Sequence, residues 1–251
     1  MLIARKKDWN DYVACAEMIA RGEAFAELRD SILERAAIQT GERVADLGAG
    51  TGLLTLPAAA SAERVWAIDI SRNMCEYLAA KALSADLDNV ETVVSNVTSV
   101  PLVDGCVDVA MSNYCLHHLD DRQKRLALAE VHRVLVPGGR FVFADMMFSL
   151  AFADARNRAV INTKVRALLA KGVPGAWRLA RNGARWMFGR WERPARPEWW
   201  AEALVEAGFT GVSVEPLRHE GGIAWAHKRP SSGDESCSRR RSAPALAGAG
   251  H

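Results

Sequence analysis

The first part of the chain alternates short apolar runs with longer amphipathic stretches. The short runs are rich in Val, Ile and Ala, which is typical of buried strands, and they predict strands at Val44–Leu47, Val65–Ile70, Val90–Val94, Val107–Ser112 and Arg140–Met146. The longer stretches predict helices at Leu53–Ala60, Asn73–Ser84 and Asp121–Leu135. Because strand and helix alternate, the pattern favours an α/β fold with a doubly wound, mostly parallel sheet.

The rest of the chain completes this sheet and adds helices to it. Asp11–Ala37 predicts a helical lead-in, and Thr210–Pro216 with Ile223–His227 predicts a closing antiparallel hairpin that brings the sheet to seven strands. Beyond Leu150 the pattern is helical as far as this hairpin. We therefore expect a lead-in at 1–40, a sheet core at 41–148, an inserted helical cap at 149–197, a closing helix and hairpin at 198–228, and a disordered tail at 229–251.

Two local signals mark where elements begin and end. Asp120 stands at the N-cap position of a predicted helix, and Gln123 follows three residues later in capping-box position. The tripeptide Pro137–Gly139 predicts a turn between that helix and the next strand. In a doubly wound sheet, ligands bind at the carboxyl ends of the strands, so that edge is where functional residues are expected.

The composition is that of an ordinary globular protein. The chain has 251 residues and is 49% hydrophobic, which is enough for a sizeable core. Its apolar runs fall short of the ~18 residues that a membrane-spanning helix needs, and the N-terminus MLIARKKDWN lacks the apolar region of a signal peptide. The five cysteines show no CxxC spacing, so neither a disulfide framework nor a zinc site is indicated. We expect a cytoplasmic protein that holds no metal.

The charge is distributed unevenly. The formal net charge is +2, but residues 155–197 carry eleven Lys or Arg and one acid. Within this region, segment 175–196 interleaves tryptophan with arginine, which predicts either a cap helix packed on the sheet or peripheral contact with an anionic membrane or an acidic, lipid-like acceptor. Nucleic acid is an unlikely partner, because it usually requires a broader basic patch.

A glycine-rich turn follows the first predicted strand, in the sequence Asp46-Leu47-Gly48-Ala49-Gly50-Thr51-Gly52. Glycines at alternate positions allow a sharp turn and a close approach of a ligand to the backbone. A dinucleotide-binding fingerprint would need a third glycine at position 53, where Leu53 stands. A nicotinamide-dependent dehydrogenase is therefore disfavoured.

The turn resembles the D-x-G-x-G-x-G motif of class I S-adenosylmethionine-dependent methyltransferases. The resemblance continues in order through VWAIDIS, VDVAMSNYCLHHL and EVHRVLVPGGRFVFADM, and it covers roughly Arg43 to Met146. The segment Leu116–Leu119, LHHL, is similar to the quinone-biosynthesis group of small-molecule methyltransferases. The resemblance implies a Rossmann-like methyltransferase fold, S-adenosyl-L-methionine as cofactor, and transfer of a methyl group to an O, N or C nucleophile of a small molecule.

The same resemblance indicates which residues hold the cofactor. Asp46 offers a carboxylate to its ammonium, and Asp69, 23 residues later, offers an acceptor pair to its ribose hydroxyls. Asn96 stands where the family commonly has an aspartate that contacts adenine, and its side-chain oxygen can accept from the adenine amino group without charge. The residues expected to hold the cofactor are Asp46, Gly48, Ala49, Gly50, Gly52, Asp69, Ile70, Met74, Asn96, Val97, Asn113 and His118.

Catalysis is harder to assign from the sequence than cofactor binding. The sulfonium methyl group is already activated, so the protein contributes orientation and, where the acceptor must lose a proton, a base. His117 is the candidate for that base, and Tyr114, Asp145 and His219 are further candidates. Tyr114–Leu116 does not match the amine motif of base-methylating enzymes. A non-catalytic S-adenosylmethionine-binding regulatory or partner protein stays open as the alternative.

Overall fold

The computed structural model describes residues 8–148, 193–217 and 221–231, together with a few single positions between 158 and 172. Short 3-10 helices lie at Trp9–Tyr12 and Leu116–His118. The other described elements, in chain order, are α1 (Val13–Ala20), α2 (Glu23–Ala36), β1 (Arg43–Leu47), α3 (Thr55–Ala59), β2 (Arg64–Asp69), α4 (Arg72–Ser84), β3 (Val90–Val94), β4 (Val107–Asn113), α5 (Asp121–Val134), β5 (Leu135–Met146), α6 (Pro197–Glu206), β6 (Phe209–Pro216) and β7 (Gly221–Lys228).

The strands form one seven-stranded sheet in the order β3-β2-β1-β4-β5-β7-β6. The first five strands in the chain pair in parallel, whereas β7 pairs antiparallel with both β5 and β6. This confirms the predicted doubly wound, mostly parallel sheet with its closing hairpin. The strand order reverses between β1 and β4, and at such a point a crevice opens beyond the carboxyl ends of the strands.

Side chains alternate along the strands, so both faces of the sheet carry residues of a hydrophobic core. On β5, Phe141 and Phe143 belong to the core under α5 and α6, whereas Val142 and Ala144 belong to the core under α2 and α3. Trp200 of α6 packs edge-on against Phe143, with ring centres 4.9 Å apart. Because the side-chain period of a strand is two, Asp145 continues the face of Phe143. Consecutive residues at the carboxyl end of a strand therefore lie on opposite faces of the sheet.

The predicted helical lead-in is observed as more than one helical element. Residues 9–36 form a 3-10 turn and two helices, α1 and α2, which are separated at Arg21 and Gly22. Gly22 caps α2 in an extended conformation, with φ −70° and ψ 143°, so the helix cannot run through it. The predicted helix Leu53–Ala60 is also shorter than expected, since Thr51–Leu54 forms a turn that leads out of the glycine-rich segment.

The predicted turn at Pro137–Gly139 is wrong. Strand β5 begins at Leu135, and the tripeptide lies within it. The pairing of β4 with β5 changes register here, from Val107 opposite Leu135 to Val109 opposite Arg140. The proline and glycines therefore form an irregularity inside a strand, where the register shift absorbs the extra residues.

Some predictions fall on parts of the chain that the structure does not describe. They concern most of the helical cap at 149–197, including residues 175–192 of segment 175–196. They also concern His219 and the tail from residue 232 onwards. The domain boundaries therefore stay predictions. Within the described residues, no helix combines the length and apolar character needed to cross a membrane.

The capping box at the start of α5 is confirmed. The Asp120 side chain accepts from the Gln123 N–H at 2.8 Å, and the Gln123 side chain accepts from the Asp120 N–H at 3.1 Å. We expect Asp120→Ala to lower the free energy of unfolding by about 1 kcal/mol, because the Gln123 N–H at the start of the helix loses its acceptor. Urea unfolding measures the change. Asp120→Ser keeps a capping oxygen and should recover most of the loss; equal destabilisation by both variants would contradict a capping role.

Candidate functional site

The glycine-rich turn is anchored to the end of β2. The N–H groups of Gly48 and Ala49 both donate to the Ile68 carbonyl, at 2.8 and 3.0 Å. One carboxylate oxygen of Asp69 accepts from the Gly50 N–H at 2.9 Å, and the other accepts from the Ser71 N–H at 2.8 Å. Each oxygen keeps lone pairs for a further donor. Asp69 thus fixes the turn and can still accept hydrogen bonds from a ligand diol.

The three glycines of the turn meet different surroundings. All have positive φ, but a Cβ on Gly48 would lie 2.3 Å from Cys115 Sγ and one on Gly52 would lie 2.3 Å from Leu78 Cδ1. A Cβ on Gly50 would meet only the Gly48 carbonyl, at 4.0 Å. The protein itself therefore fills the space beside Gly48 and Gly52. The space beside Gly50 is open.

Asp46 is a buried carboxyl group on the side of the sheet that faces α3. Its relative exposure is 2%, and the Thr55 hydroxyl donates to it at 2.6 Å. Burial raises the pKa of Asp46 to about 7; the Thr55 hydroxyl opposes this shift, and the carboxylate of Asp69 adds to it. Burial also raises the pKa of Asp69. A positively charged ligand group would favour the ionised form of both acids.

Asn113 carries a buried polar atom that lacks a partner among the described residues. The atom is its side-chain oxygen Oδ1, and buried acceptors in proteins nearly always have a hydrogen-bond partner. Asn113 ends β4, and the neighbouring Ser112 pairs with Leu47 at the end of β1. The unpaired oxygen therefore lies at the same edge of the sheet as Asp46 and the glycine turn.

The remaining predicted cofactor residues lie around this edge with varied exposure. Ala49, Met74 and Val97 are buried, whereas Ile70, just after β2, is 47% exposed. The Asn96 side-chain oxygen accepts from the Thr98 N–H at 3.0 Å, so part of its acceptor capacity serves its own loop. His118 is exposed, and its ring centre lies 4.5 Å from that of Trp9.

The N-terminal segment crosses this edge of the sheet, which the sequence did not indicate. The Asn10 side-chain oxygen accepts from the Ser71 hydroxyl at 2.8 Å and from the Asn73 N–H at 3.1 Å. Further along, Lys81 pairs with Glu17 at 3.0 Å and donates to the Thr51 carbonyl at 2.9 Å. The contacts of Asn10 and Glu17 join residues more than 60 positions apart, so no local sequence pattern predicts them.

A histidine and an aspartate form a buried pair beyond the ends of β4 and β5. His117 Nδ1 lies 2.6 Å from Asp145 Oδ1, and both side chains are almost fully buried. Three backbone N–H groups also donate to the Asp145 carboxylate: Leu116 and His117 to Oδ2, at 2.7 and 3.1 Å, and Met146 to Oδ1, at 2.6 Å. Asp145 is therefore an acceptor at both oxygens.

This arrangement assigns the hydrogen of the neutral imidazole. Because Asp145 acts as an acceptor, Nδ1 of His117 carries the hydrogen and Nε2 is left with a lone pair. An imidazole oriented in this way by a buried carboxylate has the arrangement that general-base catalysis uses. The sequence placed His117 and Asp145 among the candidates separately, and the structure brings them together.

Two neighbours of the pair differ in what they can do. Tyr114 has a φ of 51°, which is rare for a bulky residue, and its ring centre lies 5.8 Å from that of His117. Such backbone strain is concentrated at functional sites. Burial raises the pKa of the Cys115 thiol, so this cysteine is a poor nucleophile. Among the described residues, no cluster of three or more His, Cys, Asp or Glu could hold a metal ion.

These features fit a cofactor with a cationic head group, a diol and a close approach to the backbone. Asp46 supplies an uncompensated carboxylate, Asp69 supplies free lone pairs, Asn113 supplies an unpaired oxygen and Gly50 supplies open space. All four lie at the carboxyl ends of β1, β2 and β4 or in the turn after β1. The His117–Asp145 pair lies at the same edge, beyond β4 and β5.

Comparison with known proteins gives a consistent result. A family model described as Methyltransferase domain matches residues 44–139. An uncharacterized methyltransferase of Bacillus cereus is 33% identical over 150 residues, which are 60% of this chain and 67% of that protein. An uncharacterized 37.1 kDa protein in transposon TN4556 of Streptomyces fradiae is 36% identical over 210 residues, 82% of this chain and 54% of that protein. The chain thus spans about half to two thirds of the length of these relatives.

The fold is shared with solved structures of the same kind. A SAM dependent methyltransferase from Aquifex aeolicus superposes with a TM-score of 0.61 at 20% identity, over 88% of this chain and 99% of that chain. The matched family model begins at the strand that carries Asp46 and includes the glycine turn, Asp69 and the end of β4. The resemblance found in the sequence, the topology of the sheet and the identity to the Bacillus cereus relative agree: the chain belongs to the S-adenosylmethionine-dependent methyltransferase family.

Proposed function

We propose that the chain binds S-adenosylmethionine at the carboxyl ends of β1, β2 and β4 and methylates a small-molecule acceptor that His117 deprotonates. The observation that carries the catalytic part of this proposal is the buried contact of 2.6 Å between His117 and Asp145. It supplies an oriented base at the edge of the sheet where the glycine turn lies. The cofactor, when bound, supplies an activated methyl group.

Each residue of the cofactor half has a distinct role in the proposal. Asp46 attracts the ammonium, Asp69 accepts from the ribose hydroxyls while it holds the Gly50 N–H, and Asn113 offers the oxygen that the described chain leaves unpaired. Asn10 and Glu17 hold the N-terminal segment over this half of the site. The segment would exclude water, which strengthens each of these charged contacts.

The acceptor half depends on His117. Asp145 keeps the imidazole ring in one orientation and holds the hydrogen on Nδ1, so Nε2 can take a proton from an acceptor hydroxyl or ammonium group. Removal of that proton produces the nucleophile that attacks the methyl group. A small acceptor, acidic or lipid-like, would suit the basic charge of residues 155–197. Peripheral contact of segment 175–196 with an anionic membrane stays a prediction.

A cofactor-binding protein without catalytic activity is the alternative. A protein of this kind would have no use for an oriented base beside the cofactor site. The buried His117–Asp145 pair therefore favours the enzyme. Burial of such a pair costs desolvation free energy, and a role as oriented base accounts for its presence.

We expect His117→Gln to lower the rate of methyl transfer by about 100-fold or more, because general-base catalysis contributes roughly that factor. Radiolabelled methyl transfer to a panel of small O, N and C acceptors measures the rate, and calorimetry should show unchanged affinity for S-adenosylmethionine. His132→Gln is the matched control, since His132, on α5, packs against Phe209 at the start of β6, away from the site. Full activity of His117→Gln would refute the base, and tight cofactor binding without transfer to any acceptor would favour the alternative.

We expect Gly50→Ala to weaken S-adenosylmethionine binding at least about tenfold, because the added methyl group enters the space assigned to the ligand. Gly105→Ala is the matched control. Gly105 also has a positive φ, 62° against 52° for Gly50, and its Cβ would meet nothing within 4 Å. The two variants should lose similar thermal stability, but only Gly50→Ala should lose affinity. Equal affinities by calorimetry would contradict the position of the ligand.

We expect Asp46→Asn to stabilise the cofactor-free protein at pH 8 and to weaken cofactor binding. The amide keeps an acceptor for Thr55 but removes a charge that burial disfavours. Because the pKa of Asp46 is raised to about 7 from an ordinary 3.8, its unfavourable contribution is complete above about pH 7 and vanishes as the pH falls towards 4.

Urea unfolding at the two pH values tests this expectation. The free energy of unfolding of Asp46→Asn should exceed that of the wild type by about 1–3 kcal/mol at pH 8 and should match it near pH 4. A difference that does not change with pH would show that ionisation of Asp46 is not the cause.

A further inference from the structure

Lys124, on α5, has a fully buried side chain, which is uncommon for a charged residue. Its ammonium group donates to the Arg193 carbonyl at 2.6 Å and to Asp121 Oδ1 at 3.2 Å. It also lies 5.6 Å from the ring centre of Trp199. Burial lowers the pKa of Lys124. A buried ammonium is tolerated only where its contacts replace the lost water.

Of these contacts, the one to Arg193 connects Lys124 with the candidate base. The side chain of Asp121 is 64% exposed, so water weakens its attraction for Lys124. The Arg193 carbonyl is the nearer partner, and the N–H of the same residue donates to the His117 carbonyl at 2.7 Å. Arg193 is thus held from both sides, by α5 through its carbonyl and by the 3-10 helix Leu116–His118 through its N–H.

His117 is in turn held at three points. Its ring and its N–H contact Asp145 on β5, and its carbonyl accepts from Arg193. The contacts of the ring and the N–H all lead to one side chain, that of Asp145, so a contact from another part of the chain restricts the residue further. The bond to Arg193 adds a contact outside Asp145, and Lys124 holds the carbonyl of Arg193.

We propose that Lys124 is a positioning residue of the catalytic centre: it holds the Arg193 carbonyl, keeps the Arg193 N–H on His117, and so fixes the imidazole against Asp145. The proposal rests on the proposed function only in treating His117 as the base. The tether itself rests on the three hydrogen bonds. A lysine that merely attached residues 193–196 to α5 would affect stability and leave the imidazole unchanged.

The test is an NMR measurement of the His117 ring in protein with isotopically labelled histidine. The Nδ1 proton, shielded between His117 and Asp145, is expected to give a slowly exchanging signal, which His117→Gln identifies by its loss. In Lys124→Met, which keeps the length and apolar stem of the side chain, we expect that proton to exchange at least about tenfold faster or to disappear. The affinity for S-adenosylmethionine should stay within about twofold, because Lys124 makes no described contact with the residues of the cofactor half.

Arg125→Met is the matched control. Arg125 is the next residue on α5, and its guanidinium also lies over Trp199, at 4.9 Å, but it pairs with Glu206 rather than with Arg193. It should leave the Nδ1 signal of His117 as it is in the wild type. An unchanged signal in Lys124→Met, or the same loss in Arg125→Met, would overturn the proposal.

Arg193→Pro tests the tether through Arg193 if Lys124→Met does not fold. Proline removes the N–H that donates to His117 and leaves the carbonyl that accepts from Lys124. Loss of the His117 signal in this variant supports the tether, and an unchanged signal overturns it. The result is separate from the activity of His117→Gln: full activity of that variant would refute the base, whereas the NMR signal reports on the tether alone.

Discussion

The candidate site depends on the buried carboxylate of Asp145. An acid with no exposure must be surrounded by donors, because an unpaired buried charge is strongly unfavourable. Two of these donors are the consecutive N–H groups of Leu116 and His117, and the 3-10 helix that contains them is the element that can aim both at one oxygen. Tyr114 lies between the end of β4 and this helix and takes a positive φ there. The loop that carries the candidate base is thus shaped by one side chain of the neighbouring strand.

The period of the strands then separates the two halves of the site. Asp46 follows the face of β1 that packs under α3, where it meets Thr55, whereas Asp145 follows the face of β5 that packs under α5 and α6. Between them the order of the strands reverses at β1 and β4. One edge of a single sheet can therefore hold a cofactor with groups from one side and a base with groups from the other.

The strands and the glycine turn were predictable because their causes are local. Buried runs such as Val107–Ser112 lie in the observed strands, and the capping box at Asp120 is where its spacing placed it. The predictions were wrong where a distant partner decides the structure: Pro137–Gly139 reads as a turn by itself, but pairing with β4 draws it into β5. The pairing of His117 with Asp145 and the tether from Lys124 to Arg193 join residues 28 and 69 positions apart, so only the fold could reveal them.

The same distinction explains why the cofactor is easier to recognise in the sequence than the acceptor. Within the turn, Gly48 and Gly52 are required by contacts with Cys115 and Leu78, and Gly50 alone leaves space. The glycine-rich motif is compact because its backbone must both pack against the rest of the protein and approach a ligand. The described groups of the acceptor half come from β5, the loop after β4 and the chain before α6, which are far apart in the sequence. They form no compact motif, so a shared fold carries the cofactor between relatives and leaves the acceptor to be found by experiment.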